Sequence, residues 1–472
     1  MNLSQLKELL RPAPGTLESA EDLSRERYRR AALTGTTAAI GRVVSLGTSI
    51  VTVRLTFRYL GAERYGMWMT ITSVVMMFVF ADLGMNNGLI NLVADATGKE
   101  DARTARQATA SAFWMLSMIA ILVAAGVVIA YPYLNTSRLF NVHSPLAMRE
   151  SGPALLAFFF CFVMNVPLGI VRGTQTGLQN AYVNNMWNML GSLSSLCALL
   201  VAIHLHAGLP VLVLSLSGPP VLITILNGAE LFGWSHPELR PNPRDCSRAV
   251  ASRLLRIGLM FFLLQASISV GMQTDNVVIA QILGARAVAS YAVPARLFNI
   301  VASFITLLSG SMWPAYADAL ARRDGSWIRR SFRRVMLAGA AITLCATSVL
   351  VLLGNRILAL WVGPQMQASM ILLIIFGLQC VVFSYLQPIN FLLNGIGELK
   401  AQVVCAVAMA VVNLGLSIFF VKRFGIVGAV LGTFVAQLTV QVIPLTVIAR
   451  TQLRRLGSIS SMSLPVDTTL AG

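Results

Sequence analysis

Charged side chains are scarce in this sequence. Asp, Glu, Lys and Arg make up 12% of the 472 residues, against 56% hydrophobic residues. So little polar surface cannot cover a water-soluble globule of this size, and apolar runs recur along nearly the whole chain. Soluble enzymes and soluble binding domains are therefore excluded, and the chain is predicted to be an integral membrane protein.

Motifs for several kinds of chemistry are also missing. The sequence has no GxxxxGK[ST] loop, so direct use of ATP is not indicated. The six cysteines show no CxxC spacing, and only His204 and His206 lie close together among the four histidines. Two positions apart on a helix, these side chains point to nearly opposite sides. We expect no disulfide framework, no metal site and no cofactor.

A cleavable targeting segment is not recognisable either. Residues 1–31 mix acidic and basic side chains and contain no apolar run, which fits neither a signal peptide nor a transit peptide. The net charge of +17 would indicate nucleic acid in a soluble protein, but in a membrane protein it reflects the Lys and Arg of cytoplasmic loops. We expect no nucleic-acid partner and place both termini in the cytoplasm.

Apolar stretches of membrane-spanning length are abundant. A helix needs about 20 residues to cross about 30 Å of hydrocarbon at 1.5 Å per residue. With both termini inside, most of the Lys and Arg fall on the cytoplasmic side. The twelve predicted spans are 34–57, 66–91, 108–131, 153–172, 182–204, 208–230, 257–283, 287–312, 333–354, 366–388, 400–420 and 425–447.

The chain repeats itself at an interval of about 220 residues. The repeated features are Leu60-Gly61-Ala62 with Leu283-Gly284-Ala285, Gly177 with Gly397, and Gly208 with Gly425. They predict an all-α membrane protein of about twelve helices in two pseudo-symmetric six-helix lobes. The predicted parts are a polar leader (1–31), a first lobe (32–230), a cytoplasmic connector (231–256), a second lobe (257–448) and a cytoplasmic tail (449–472).

Two acids and two bases lie deep inside the predicted spans, well away from the span ends. A charge in the middle of a membrane costs about 2.5–3.5 kcal/mol on insertion scales, so each is expected to have a partner or to face a water-filled cavity. Arg42 and Asp82 lie at a similar depth of about 12–13 Å on antiparallel spans, and we predict an ion pair. A static pair and a pair that opens during transport remain open alternatives. Asp275 and Arg296 bracket the Leu283-Gly284 turn at similar depths and are also able to pair.

Three motifs carry a family resemblance. They are Asp275-x7-Leu283-Gly284-x3-Val288-x2-Tyr291-x4-Arg296, Tyr59-Leu60-Gly61-Ala62-Glu63-Arg64-Tyr65-Gly66-Met67-Trp68 and Ala81-Asp82-Leu83-Gly84. They resemble the oligosaccharide flippases of bacterial polysaccharide biosynthesis, within the multidrug/oligosaccharidyl-lipid/polysaccharide exporter superfamily, and the resemblance covers about residues 30–450. It implies lobes around a central cavity and transport of an undecaprenyl-diphosphate-linked glycan to the outer leaflet of the bacterial inner membrane.

The resemblance also suggests roles for particular residues. Arg42 and Arg296 suit a diphosphate, and Asp82 or Asp275 suits coupling or gating by H⁺ or Na⁺. The sugar suits four amides, Gln265, Asn276, Gln379 and Asn390. Membrane lipid and assembly proteins such as a polymerase are the other expected partners.

Two other functions remain open. A multidrug or cation exporter of the same superfamily would share the fold, although two deep arginines disfavour a cationic cargo. A glycosyltransferase or polymerase using a polyprenyl-linked sugar would need carboxylates outside, where the loops offer essentially Glu63 and Glu150. We expect a transporter and not an enzyme.

Overall fold

The computed structural model describes residues 20–310, 312–321 and 324–461, which are almost entirely helical and contain no β-strand. Short 3-10 or π segments occupy some of the connections. The α-helices are α1 (Ala20–Met76), α2 (Met85–Gly98), α3 (Ala102–Ala130), α4 (Thr136–Leu139), α5 (Pro145–Gly177), α6 (Ala181–His204), α7 (Leu209–Glu230), α8 (Arg248–Leu283), α9 (Ala285–Gly310), α10 (Met312–Ala321), α11 (Gly325–Trp361), α12 (Met370–Gly395), α13 (Leu399–Phe424), α14 (Ile426–Gln437) and α15 (Ile443–Ser461).

The helices have the length and composition of membrane spans. Ten helical segments within the described ranges are long and apolar enough to cross a bilayer. Large apolar side chains remain exposed along them, such as Ile121 at 67% and Leu352 at 74%. A water-soluble monomer rarely shows apolar surface on this scale, whereas hydrocarbon would cover it. The chain is a multi-pass all-α membrane protein, as predicted.

Two of the twelve predicted spans are not among these ten segments. The predicted span 257–283 lies within α8, whose 36 residues would extend about 54 Å, but many of its side chains lie outside the described residues. The predicted span 66–91 is divided, because α1 ends at Met76 and α2 begins at Met85. The prediction of one continuous helix over 66–91 is therefore wrong.

The break in the second span has a local cause. Leu83 and Gly84 both adopt left-handed backbone conformations, with φ of 48° and 68°. The Asp82 carboxylate accepts a hydrogen bond from the Gly84 backbone N–H at 2.9 Å. This side-chain contact competes with the helical hydrogen-bond ladder and ends it in a turn. Hydropathy cannot detect such a break, because it is insensitive to backbone conformation.

The structured chain divides into two compact units. Unit 1 extends to Ala266 and unit 2 begins at Ser267, so the boundary falls inside α8. The core of unit 1 is formed by apolar residues of α2, α3 and α5, including Leu89, Leu116 and Ile170. The core of unit 2 is formed by α10, α11, α12 and α15, including Ile328 and Leu392. The two-lobe fold expected from the repeat is confirmed.

The repeat is visible in the backbone and in the helix caps. Gly61 and Gly284 both have positive φ, at 72° and 87°. Gly61 makes an elbow within α1, and Gly284 makes the elbow between α8 and α9. Asp101 caps α3 by accepting from the Thr104 N–H, and Asp324 caps α11 by accepting from the Trp327 N–H. The Thr104 side chain lowers the pKa of Asp101, and the Trp327 N–H lowers that of Asp324. Ser144 and Ser369 cap α5 and α12 in the same way.

One predicted correspondence between the halves does not hold. Gly397 is left-handed, with φ of 81°, immediately before the cap of α13. The matching left-handed residue before α6 is Gln179, with φ of 62°, and not Gly177. Gly177 ends α5, where an added Cβ would lie 2.7 Å from the Cβ of Val93. The two glycines are needed for different reasons, one for backbone conformation and one for close packing.

A glycine contact joins the beginning of α8 to the broken span within unit 1. A Cβ added at Gly258 would lie 2.6 Å from the Leu83 carbonyl oxygen and 3.0 Å from the Met85 nitrogen. One turn away, a Cβ added at Gly88 would lie 3.1 Å from the Leu254 carbonyl oxygen. A glycine on each of the two helices, Gly88 on α2 and Gly258 on α8, allows their backbones to touch, as at many membrane helix crossings.

We predict that Gly258→Ala destabilises the protein by about 1–3 kcal/mol, because the new methyl group overpacks the break in the second span. Thermal unfolding of the purified protein in detergent would show a lower Tm. Gly126→Ala is the matched control, since a Cβ there would meet nothing within 4 Å. Equal Tm values for the two variants would contradict the backbone contact at Gly258.

Candidate functional site

Asp275 lies in a buried cluster of oxygen atoms inside unit 2. Its side chain is 7% exposed. The Tyr291 hydroxyl donates to Oδ2 at 2.8 Å, the Thr433 hydroxyl reaches the same oxygen at 2.9 Å, and the Ser417 hydroxyl reaches Oδ1 at 3.1 Å. Three hydroxyl groups from three other helices thus surround one carboxylate. Charge-assisted hydrogen bonds of this kind compensate for the lost hydration of a buried acid.

Asn413 forms the second layer of this cluster. Its Oδ1 atom lies 3.1 Å from the Ser417 hydroxyl and 3.0 Å from the Thr433 hydroxyl, and the residue is fully buried. A serine or threonine hydroxyl carries one proton, so at any moment it donates to one acceptor. Ser417 and Thr433 therefore share two alternative acceptors, the Asp275 carboxylate and the Asn413 carbonyl, and Thr433 also reaches the Ala429 backbone carbonyl at 3.2 Å.

The backbone brings these four elements together. The elbow at Gly284 turns the chain back on itself and places Tyr291 of α9 beside Asp275 of α8. A Cβ added at Gly432 would lie 2.8 Å from the Ser417 nitrogen, so α13 and α14 touch there through their backbones. Gly428, one turn earlier, meets Phe420 still more closely. This Gly-x3-Gly pair holds Ser417 and Thr433 on the same carboxylate.

The possible ion pair between Asp275 and Arg296 is not found among the described contacts. Arg296 is exposed on α9, more than one helical turn beyond Tyr291. The physical reason is that three hydroxyl groups enclose the Asp275 carboxylate and supply its hydrogen bonds.

The ion pair predicted between Arg42 and Asp82 is also absent from the described contacts. Arg42 is exposed on α1, and Asp82 is half-buried in the break, where it binds the Gly84 N–H. Equal depths require a straight second span, which the break at Leu83 rules out. Asp82 lies in the turn before α2, where its carboxylate accepts the Gly84 N–H and interacts favourably with the dipole at the beginning of the helix.

The four predicted amides differ in their surroundings. The side chain of Gln265 lies outside the described residues. Asn276 and Asn390 are half-buried on α8 and α12. Gln379 donates through Nε2 to the Gln437 Oε1 atom, which joins α12 to α14. None of these facts assigns a sugar-binding role, so that role stays a prediction.

Asn413, Ser417 and Thr433 were not predicted, because Arg296 was the partner considered for Asp275. Tyr291 belongs to the motif that carries the family resemblance, but no role was assigned to it. Asn413 and Ser417 are one helical turn apart within an otherwise apolar run, which marks a polar face. That spacing was the available signal for the site.

Glu63 and Glu150, the carboxylates predicted in outer loops, both accept hydrogen bonds that link helices. Glu63 Oε1 accepts from the backbone N–H groups of His143 and Ser144, at the beginning of α5. Arg64 donates two hydrogen bonds, at 2.7 and 2.8 Å, to Glu150. Glu150 also accepts from the Leu209 N–H, at the beginning of α7. This clamp leaves neither Glu63 nor Glu150 poised as a catalytic base.

The family of the chain follows from its sequence. A model described as "Polysaccharide biosynthesis protein" matches residues 35–320, and a second model, described as MatE, matches residues 260–419. The chain belongs to the polysaccharide biosynthesis protein family. The predicted membership in the polysaccharide flippases of the multidrug/oligosaccharidyl-lipid/polysaccharide exporter superfamily is confirmed. This is a transport family and not an enzyme family.

Two relatives named for O-antigen transport or export are similar to this chain at about 20% identity. A Salmonella typhi protein whose name assigns it to O-antigen transport is 20% identical over 401 residues, which cover 83% of this chain and 90% of the relative. A Yersinia pseudotuberculosis protein named for O-antigen export is 21% identical over 404 residues, covering 83% and 89%. Both alignments extend over most of each protein, so the similarity concerns the whole architecture.

Solved structures show the same fold. An inward-facing multidrug resistance MATE family transporter aligns with a TM-score of 0.76 at 16% identity and covers 89% of this chain and 96% of its own. A Pyrococcus furiosus transporter of the superfamily, whose description notes a binding pocket of reversed polarity, aligns with a TM-score of 0.65 at 16% identity, covering 90% and 96%. At these identities the likeness concerns the fold alone.

We predict that Asp82→Asn is tolerated while Asp82→Ala is not. An asparagine oxygen can still accept the Gly84 N–H, whereas alanine loses this hydrogen bond at a cost of about 1 kcal/mol. The measurement is the Tm of each purified variant together with polysaccharide export in cells. If Asp82→Asn abolishes export as completely as Asp82→Ala while the Tm is unchanged, the residue acts through its charge and its assignment to the turn is wrong.

Proposed function

We propose that the protein is a flippase that moves an undecaprenyl-diphosphate-linked oligosaccharide from the cytoplasmic to the outer leaflet of the bacterial inner membrane. Both termini are cytoplasmic in this proposal, and H⁺ or Na⁺ drives the cycle by binding at Asp275. The coupling step rests on one observation, the buried carboxylate of Asp275 with hydroxyl oxygens around it. The family and the names of its relatives support the substrate class.

The atoms around Asp275 suit a small hard cation or a proton. Carboxylate, amide and hydroxyl oxygens are the ligands that such ions prefer, and the cluster offers them from Asp275, Asn413, Ser417 and Thr433. One carboxylate carries one negative charge, which one monovalent cation neutralises. A divalent cation would leave excess positive charge in the apolar interior, so it is disfavoured.

Neutralising Asp275 would change the hydrogen bonds around it. While the carboxylate is charged, the Ser417 and Thr433 hydroxyl groups donate to it. Once a cation or proton is bound, their oxygens turn towards the cation or the new O–H group, and their protons turn to Asn413. The cluster then has two arrangements with different links among α8, α13 and α14, and such a two-state element is what ion coupling requires.

The substrate side of the proposal rests on Arg42 and Arg296. Both guanidinium groups are exposed on helices with the composition of membrane spans. Arginine binds phosphate oxygens through paired N–H groups and stays charged at all relevant pH values. We assign the diphosphate to these residues and the sugar to the amides Gln265, Asn276, Gln379 and Asn390. The prenyl tail remains in the lipid.

Deletion of the gene in its host is expected to abolish the surface polysaccharide and to leave its lipid-linked precursor on the cytoplasmic side. Arg42→Gln and Arg296→Gln, each expressed at the native level, should reduce surface polysaccharide at least tenfold, because the diphosphate loses its paired donors. Immunoblotting of the glycan and mass spectrometry of the precursor measure both effects.

Arg54→Gln is the matched control for the arginine variants, since it removes the same charge from an exposed position on α1. Normal export by both test variants would overturn the assignment of the diphosphate to Arg42 and Arg296. A deletion strain that keeps its polysaccharide but becomes sensitive to cationic drugs would instead indicate a drug exporter.

The coupling step predicts a cation effect on the purified protein. Na⁺ at 100 times its Kd should stabilise the wild type by about 2.7 kcal/mol, and Asp275→Asn should remove this stabilisation together with export. If the coupling ion is H⁺, lowering the pH replaces added Na⁺ as the stabilising change. Asp82→Asn is the control acid in the other unit. Equal responses of the wild type and Asp275→Asn to both ions would refute the coupling site.

A further inference from the structure

Six exposed arginines form a basic surface at one end of unit 2. Two helices contribute them, and we name this surface the arginine platform: Arg329, Arg330, Arg333 and Arg334 on α11, and Arg450 and Arg454 on α15. The two helices pack together through a shared apolar core that includes Ile328, Leu445 and Ala449. The Arg329 side chain also donates to the Leu453 carbonyl at 3.2 Å. The platform is therefore one continuous structural feature.

The platform lies where the apolar part of each helix ends. An uninterrupted apolar run follows Arg334 on α11, and Arg450 follows the apolar beginning of α15. α11 has the length and composition of a membrane span, and the first half of α15 ends the apolar segment Ile426–Arg455. Arginines in this position lie at the level of the lipid headgroups, with their stems along the hydrocarbon.

Within the described residues, none of the six platform arginines forms a salt bridge with a carboxylate. The pairs Arg329 with Arg333, Arg330 with Arg334 and Arg450 with Arg454 are each four residues apart, and like charges at this spacing destabilise a helix. Asp324 caps α11 and attracts Arg330, and one acid does not balance six arginines.

The matching end of unit 1 is built differently. There Asp95 binds Lys99 at 2.8 Å and also lies 3.8 Å from Arg253. Arg106 donates to the Glu238 backbone carbonyl. The general preference of Lys and Arg for the cytoplasmic side would act on both units alike. It does not explain why the basic residues of unit 1 have protein partners while the platform arginines have no salt bridge among the described residues. The excess positive charge of unit 2 calls for an anion from outside the protein.

We infer that the arginine platform binds the phosphate groups of anionic phospholipids, of the phosphatidylglycerol or cardiolipin type. Guanidinium groups match phosphate oxygens through paired hydrogen bonds, and rows of arginine beside a membrane helix attract anionic headgroups. The bound lipid offsets the repulsion between the like-charged pairs and so holds α11 and α15 together. This role is independent of the transported substrate.

The test compares two triple variants of the full-length protein that remove equal charge. R330Q/R333Q/R454Q changes the platform, and R103Q/R240Q/R244Q changes exposed arginines of unit 1. Cardiolipin or phosphatidylglycerol is added to protein in phosphatidylcholine nanodiscs, and retained lipid is counted by native mass spectrometry. We expect the platform variant to lose affinity for anionic lipid at least tenfold and the unit 1 variant to stay within about twofold of the wild type.

Two further measurements make the result decisive. R330K/R333K/R454K keeps the charge but loses the paired guanidinium donors, so it should retain more anionic lipid than the glutamine variant and less than the wild type. A wild-type Tm of the glutamine variant excludes misfolding as the cause of its loss. Equal losses in both glutamine variants would overturn the proposal, because positive charge anywhere would then suffice. Preferential displacement of cardiolipin from the platform by undecaprenyl diphosphate would overturn it as well and would assign the surface to the transported lipid.

Discussion

A carboxylate buried in a membrane protein has to find its hydrogen-bond donors within the protein, because lipid offers none. Much of unit 2 is arranged around that requirement at Asp275. The elbow at Gly284 supplies Tyr291, and the close contact at Gly432 supplies Ser417 and Thr433. Each donor is a hydroxyl group, which compensates a charge without cancelling it. The carboxylate is therefore enclosed without an ion-pair partner among the described contacts, which is the feature on which the proposed cation coupling rests.

Unit 1 does not contain the same arrangement. Thr52 occupies the position that corresponds to Asp275 in the repeat, and its backbone carbonyl accepts a hydrogen bond from the Thr56 hydroxyl. A neutral pair of this kind satisfies itself within one helix and needs no neighbours. The two units share their elbows and their helix caps. At the position of Asp275, however, unit 1 has a threonine in place of a carboxylate. The duplication preserved the framework while the chemistry diverged.

Sequence patterns predicted the features that depend on composition and missed those that depend on backbone geometry. Apolar runs identified the membrane helices, and the repeated Leu-Gly-Ala identified the elbows at Gly61 and Gly284. The break at Leu83 was missed because hydropathy does not report the backbone conformations of Leu83 and Gly84. Both ion pairs were predicted from depth along ideal helices. One failed because Asp82 lies in a turn, and the other failed because hydroxyl groups satisfy Asp275.

The clamp formed by Glu63, Arg64 and Glu150 has a consequence for biosynthesis. Arg64 and Glu150 are 86 residues apart, and Leu209 follows Glu150 after another 59. The ribosome therefore delivers Arg64 well before its partner, and the clamp is completed only when the sixth predicted span emerges. Until Glu150 is synthesised, Arg64 lacks this carboxylate partner. Unit 1 therefore completes the clamp only after almost half of the chain has been synthesised.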